Sequence, residues 1–270
     1  MYNRKTINDF DLLRQDIRRA TEIWKEILDP YVEYAYFKGS AAKTIETLID
    51  YIPEVSDLDI HIKAKEGFLP DGPEGVRKAL DLAARYENLF TRGEYWHMPR
   101  TQIIEIGKME NLEGYYTPLR RDVEVLIGDP KFPDTWEQIG LSLEDHRRID
   151  RERAGENASI LRDFSYSVLD RTSLDLWSGL RKLCWRISPS VNRLLSQTED
   201  PFEVWGMNRT KVLVLLKERY PDIADNYGQY YRSSWDLYNS NFEDSEIYRK
   251  CLYLGYSIIH QVDTKLKKFL

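Results

Sequence analysis

Asp57 and Asp59 stand two apart in the run Ser56-Asp57-Leu58-Asp59-Ile60. In an extended strand alternate side chains share a face, so these two carboxylates lie side by side while Leu58 and Ile60 turn toward a core. Adjacent carboxylates repel each other at neutral pH unless a cation accompanies them. Hard oxygen ligands of this kind suit Mg²⁺, which takes one or two carboxylates and completes its shell with water and phosphate oxygens. Upstream, Lys38-Gly39-Ser40 interrupts an apolar run and leads into Ala41–Tyr51, which reads as a helix with Ile45, Leu48 and Ile49 on one face. Glycine lets an anion approach the backbone, the free N–H groups of a helix start attract it, and the Ser40 hydroxyl is able to donate to a phosphate oxygen. Lys38 and Lys43 add positive charge. The two parts together describe a cradle for a nucleoside triphosphate and its metal ions.

The elements that must position these residues follow from periodicity. Residues 6–28 place Ile7, Phe10, Leu13, Ile17, Ile23, Trp24 and Ile27 near helical spacing, and Pro30 ends that helix. Val32–Phe37 reads as a short strand, and Ser56–Lys63 alternates as a second one. A loop with Pro70, Gly72 and Pro73 precedes a helical stretch at 74–90, and strands are expected at Thr101–Ile106 and Asp122–Ile127. Beyond Gly128-Asp129-Pro130 the strand signal stops, and segments 142–169, 173–187, 207–219 and 243–269 are helical in pattern. The expected fold class is α+β: a small mixed sheet domain over residues 1–135, then an all-helical domain over 136–270. The prolines at 130 and 133 mark the boundary.

An Asp-x-Asp alone usually marks the wet face of a half-buried strand. Joined to a Gly-Ser in the right order on the right elements, it resembles the hallmark of the DNA-polymerase-β-like nucleotidyltransferase superfamily. That hallmark is a Gly-Ser or Gly-Gly at a helix start followed by Asp-x-Asp or Asp-x-Glu in the next strand. The stretch Gly39-Ser40-Ala41-Ala42-Lys43-Thr44 is also similar to the Gly-Ser-x-Ala-Lys/Arg stretch of archaeal-type CCA-adding enzymes. The resemblance covers roughly residues 30–130. It departs from the common pattern in the sixteen residues between Ser40 and Asp57 and in the lack of a glycine after Lys43. It implies a third carboxylate from a later strand, here Asp122 or Glu124 in Arg121-Asp122-Val123-Glu124-Val125-Leu126. Alternation puts both on one face, and Glu124 has apolar residues on either side.

The activity so implied is transfer of a nucleoside monophosphate from a triphosphate to an acceptor hydroxyl. Two Mg²⁺ ions are expected, held by Asp57, Asp59 and the third acid, with Gly39, Ser40, Lys43 and Lys38 on the phosphates. The acceptor class stays open among an RNA or tRNA end, a small molecule and a protein, and the helical domain is expected to bind it. The rival reading is a catalytically silent nucleotide-binding or antitoxin-like partner protein that keeps the fold.

Bulk properties narrow the frame. Net charge is −6, which argues against a uniformly basic nucleic-acid platform. The acidic excess lies in the N-terminal half: residues 1–130 hold 18 Lys and Arg against 24 Asp and Glu, and the remainder balances. Cys184 and Cys251 form no CxxC or zinc spacing and read as free buried thiols. With no apolar stretch of a signal peptide or of the ~20 residues a membrane span needs, a cytoplasmic protein with no membrane partner is expected. His61 continues the Asp57–Asp59 face, from which it could touch nucleotide or acceptor, but a solvent-exposed or structural role is expected, and His97, His146 and His260 form no ligand spacing. The basic run Arg147, Arg148, Arg151 and Arg153 reads as a solvated helix face. Arg181, Lys182, Arg186 and Arg193 read as the edge of a helix whose Trp177 and Trp185 pack inward.

Overall fold

A computed structural model describes residues 10–110, 115, 117–169 and 175–269. The chain is mixed α/β, with one small four-stranded sheet and many helices. It divides into two compact units, residues 1–42 with 57–139, and residues 43–56 with 140–270.

In the first unit, α1 (Phe10–Leu28) turns Leu13, Ile17, Ala20, Trp24, Ile27 and Leu28 inward. The residues before Phe10 that were expected to open this helix lie outside the described residues. The chain then forms β1 (Val32–Lys38), β2 (Leu58–Ala64), α2 (Pro73–Phe90), β3 (Thr101–Glu105), the single turn α3 (Ile106–Met109) and β4 (Glu124–Ile127). Sheet order is β3-β2-β1-β4, with β1 antiparallel to both β2 and β4, and β2 parallel to β3. Leu58, Ile60 and Ile62 are buried on one face opposite Phe37 and Ala35, as alternation requires. Trp24 stacks on Tyr86 of α2 at 4.7 Å and donates its indole N–H to Thr101 Oγ1, tying α1, α2 and β3 together. Asp16 of α1 accepts the backbone N–H groups of Trp96 and His97, which orders the approach to β3.

The second unit is helical: α4 (Leu143–Ala158), α5 (Phe164–Leu169), α6 (Leu176–Leu195), α7 (Pro201–Gly206), α8 (Arg209–Arg219), α9 (Pro221–Asn239) and α10 (Ser245–Leu266). Residues 173 and 174, expected to open the second of these helical segments, lie outside the described residues, and α6 runs on through Pro189 to Leu195. Helix α9 was not legible as one, because its inward face is built from Tyr227, Tyr230, Tyr231, Trp235 and Tyr238, residues that also mark strands. Gly255 of α10 lets Leu183, Ile187 and Tyr230 approach closely, so α6, α9 and α10 share one core. On α4, Arg148, Arg151 and Arg153 do pair along the surface with Glu152, Glu144 and Glu156. Arg147 instead caps carbonyls of Ser196 and Glu199. No helix among the described residues is long and apolar enough to cross a membrane.

The expected helix at 41–51 does not form. After one 3₁₀ turn at Ser40–Ala42 the chain runs irregularly to Ser56 and belongs to the helical unit. The buried carboxylate of Asp50 explains this. Its Oδ2 accepts the N–H groups of Glu46 and Thr47 and the Thr210 hydroxyl, and its Oδ1 accepts Thr210 N–H. Those backbone donors are thus taken by a side chain, which favours a turn over a helix. Thr44, Ile45, Thr47 and Ile49, all β-branched, lower the helical alternative further. Arg209 donates to Ile49 O and Ser56 Oγ, and Asn208 to Thr44 O, so α8 clamps the segment at several points.

Candidate active site

Strands β1 and β2 build the site. Their register sets Lys38 opposite Asp59 and Tyr36 opposite His61, so these four side chains share one face while Phe37 and Ile60 take the other. Asp57, two residues before Asp59 and just ahead of the strand, is buried. The strand stops at Gly39, whose φ of 83° only glycine adopts without strain. The reason lies across the sheet: a Cβ on Gly39 would stand 2.6 Å from Asp59 Oδ2. The missing side chain is the space the carboxylate occupies. Gly39 and Asp59, twenty positions apart in sequence, therefore touch.

Each carboxylate also meets a cation of the chain. Arg100 Nε lies 3.3 Å from Asp57 Oδ1. The parallel pairing of β2 with β3 brings this about, since Leu58 is level with Thr101 and donates its N–H to Arg100 O. Lys38 feels the charges of Asp59 and Asp122, which oppose the larger effect of burial; the net result is an ammonium pKa below the ordinary lysine value. Burial, with the Lys38 charge second, pushes His61 down to about 3, so its imidazole is neutral at physiological pH. That ring stacks on Tyr36 at 5.1 Å, and its Nδ1 has no hydrogen-bond partner among the described residues.

Asp122 and Glu124, the two candidates for a third acid, differ in local geometry. Asp122 closes a 3₁₀ turn, Arg120–Asp122, and only at Glu124 does β4 begin. The expectation that Asp122 and Glu124 share a face is thus corrected, because a 3₁₀ residue does not obey the strand period. Glu124 pairs with Phe37, on the face turned away from Asp59, and is exposed. Asp122 is half-buried, interacts with Lys38 and lies 3.9 Å from Arg121.

Ser40 opens the single 3₁₀ turn and is half-buried; the turn is closed by Ala42 N–H to Gly39 O. The expected helix N-terminus behind it is absent, so the anion-attracting row of N–H groups reduces to the strand-end turn itself. Lys43 lies in the helical unit, where its ammonium donates to the carbonyls of Trp205 and Met207 at 2.7 Å each. Lys38 and Gly39 meet Asp59, Lys38 also interacts with Asp122, and Arg100 meets Asp57, while Glu124 lies on the other face of the sheet and Lys43 belongs to the helical unit. Arg100 was missed, since nothing in sequence tells which strand lies beside β2.

Among the described residues no group of three or more His, Cys, Asp or Glu side chains is placed to hold a metal ion. The donor set still fits Mg²⁺, which is held by one or two carboxylates together with phosphate oxygens rather than by an all-protein cage. Comparison with known proteins finds no matching family model, curated protein or solved structure.

Proposed function

We propose that this chain is a nucleotidyltransferase, moving a nucleoside monophosphate from a nucleoside triphosphate to a hydroxyl of an acceptor. One observation carries the reading. Gly39 and Asp59, one from each half of the motif, are contiguous in space, with the glycine shaped around the Asp59 carboxylate. A wet strand face would need no such accommodation.

Asp57 and Asp59 would hold Mg²⁺, with Asp122 as the third acid. The ion, when bound, supplies charge neutralisation on the phosphates and activation of the attacking oxygen. The chain's own residues do the rest. Ser40 donates a hydroxyl proton to a terminal phosphate oxygen, and Lys38 offsets negative charge that builds on the leaving pyrophosphate. Asp122 accepts the proton of the acceptor hydroxyl as that oxygen attacks the α-phosphorus in line with the departing β-phosphoryl oxygen. The acceptor classes are an RNA or tRNA end, a small molecule or a protein.

A second reading draws on a specific observation: both carboxylates already meet chain cations, Arg100 and Lys38. This favours a catalytically silent nucleotide-binding or antitoxin-like partner protein. The two separate in one assay. The chain is incubated with α-labelled triphosphates, Mg²⁺ and, in turn, total tRNA, cell protein and aminoglycosides, beside an Asp57→Asn/Asp59→Asn double variant. Label on one acceptor class that vanishes in the variant supports transfer. Tight triphosphate binding with no labelled product on any acceptor points to the silent partner.

A further inference from the structure

Helix α6 carries Arg181, Lys182, Arg186 and Arg193 and no aspartate or glutamate, in a chain whose net charge is −6. Its inward face is set by Leu180, Leu183, Ile187 and Leu194, all fully buried. Trp185 falls on the opposite side of the helix and is 52% exposed, which corrects the expectation that it packs inward. Two of the four cations are engaged within the helical unit. Arg193 Nε lies 3.8 Å from Asp150 Oδ1, and Arg181 donates to the carbonyls of Glu54 and Val55 at 3.5 Å each. Lys182 and Arg186 make no ion pair among the described residues.

Arg186 is held in an uncommon way. Neighbours i and i+1 on a helix do not face each other, yet its guanidinium lies over the Trp185 ring, 3.7 Å from the centroid. It folds back one turn, with Nη1 donating to Lys182 O at 2.5 Å. Its Nε is buried and has no hydrogen-bond partner among the described residues. Burial draws its pKa below the ordinary arginine value, but a guanidinium keeps its proton at physiological pH. A half-buried cation without a counter-charge is costly, and an anion from outside relieves that cost.

The surroundings decide which anion. Bases stack on aromatic rings and on guanidinium planes alike, and Trp185 with Arg186 offers both in one stack. Lys182, one turn before Arg186, continues the positive charge along the helix. A free nucleotide is held in a concavity that buries most of it. Ser178, Lys182, Trp185 and Pro189 instead form one row on the outer side of a helix, with Lys182 and Trp185 exposed. A strand running past needs no enclosure, only a stacking plane and cations beside it. A lipid surface calls for a broad apolar face, and the large apolar side chain that this row exposes is Trp185 alone.

We infer that the outer side of α6 is a binding site for single-stranded nucleic acid, in which Trp185 stacks a base and Arg186 and Lys182 hold the phosphates next to it. This does not rest on the nucleotidyltransferase reading, because the residues lie in the helical unit and share none with the carboxylate face.

The test is fluorescence anisotropy of a short fluorescein-labelled oligoadenylate, single-stranded or paired with oligouridylate, titrated with the full chain over a range of KCl. Wild type, Trp185→Leu, Lys182→Met and Arg186→Met are compared, and Lys25→Met, at an exposed lysine of α1, controls for net charge. The wild type should bind the single strand and bind the duplex far more weakly, since paired bases are not free to stack. Trp185→Leu should weaken single-strand binding at least about fivefold, the lower end of what one stacked base contributes. Lys182→Met and Arg186→Met should each weaken it and flatten the slope of log affinity against log salt by about 0.7, the share of one phosphate contact on a single strand. Lys25→Met should change neither. Trp185→Leu and Lys182→Met alter exposed side chains and carry the comparison if thermal melts show Arg186→Met unfolded. No binding by the wild type, equal binding of strand and duplex, or an unchanged single-strand affinity in Trp185→Leu overturns the proposal. Sedimentation with phosphatidylserine vesicles closes the remaining route: Trp185-dependent uptake on vesicles without strand binding assigns the patch to a membrane surface and overturns it as well.

Discussion

Replacing Gly39 with alanine isolates the contact on which the functional reading turns. Two effects add. The residue has φ of 83°, where an L side chain costs about 1–2 kcal/mol. The new methyl would also stand 2.6 Å from Asp59 Oδ2, with Asp59 Cγ and Cβ at 3.7 and 3.9 Å. Those last two distances are ordinary contacts, so only the carboxylate must move, by rotation off its preferred angle, at a further ~1 kcal/mol. The sum is about 2–3 kcal/mol, a fall of roughly 1 M in the urea midpoint at an m-value of about 2 kcal/mol/M. Gly67 supplies the control: its φ is 73° in the same unit, and a Cβ there meets nothing within 4 Å. Gly67→Ala should therefore show the backbone cost alone and keep full uptake of Mn²⁺ with α,β-methylene-ATP. Gly39→Ala should lose that uptake because Asp59 has been turned aside. If the two variants match in both midpoint and metal–nucleotide uptake, Gly39 is an ordinary strand-end glycine and the site argument fails.

Two further perturbations test the frame around the site. Asp50→Ala removes the acceptor of the Glu46, Thr47 and Thr210 N–H groups, all in part-buried bonds, and should cost about 1–3 kcal/mol in thermal or urea unfolding; a loss below about 0.5 kcal/mol would mean that the 43–56 segment is held otherwise. Asp16 has its pKa raised, chiefly by burial, against the lowering effect of its bonds to His97 and Trp96. A carboxyl with a folded pKa above its unfolded value binds more protons folded, so it weakens the fold at pH 7, and the penalty fades as pH falls through the raised value toward about 4. Asp16→Asn, which keeps the acceptor oxygen, should accordingly raise stability at pH 7 and give no gain near pH 3.5; urea melts at the two pH values check this, and a gain independent of pH would refute it.

Much of the fold was legible because its signals are local. Alternation gave β2 through Leu58, Ile60 and Ile62, and the apolar spacing of Leu13, Ile17 and Trp24 gave α1. The failures have a common cause, which is a distant partner overriding a local pattern. Ile45, Leu48 and Ile49 fall at helical spacing, yet the side chain of Asp50, fixed by Thr210 of α8, takes the N–H groups that a helix would need. The Tyr-rich run of α9 carries strand-forming residues, and only packing against α6 and α10 makes it helical.

The site shows the same division more sharply. The placement of Lys38 and Gly39 beside Asp59 needs the pairing of β1 with β2, whereas a left-handed backbone at Gly39 is suggested by its identity alone. Choosing between Asp122 and Glu124 needed the point at which β4 begins, and that point is set by a 3₁₀ turn whose Asp122 N–H bonds to Leu119 O. Asp122 lies in that turn and Glu124 in the strand, and no periodicity argument carries across such a break. Arg100 required the strand order, because its place beside Asp57 follows from β3 pairing parallel to β2 rather than from anything near residue 57. Carboxylates at this spacing are thus visible in sequence as a pattern. The cations beside them come from strands the pattern does not connect, which is why the charges around Asp57 and Asp59 could be argued only once the sheet was assembled.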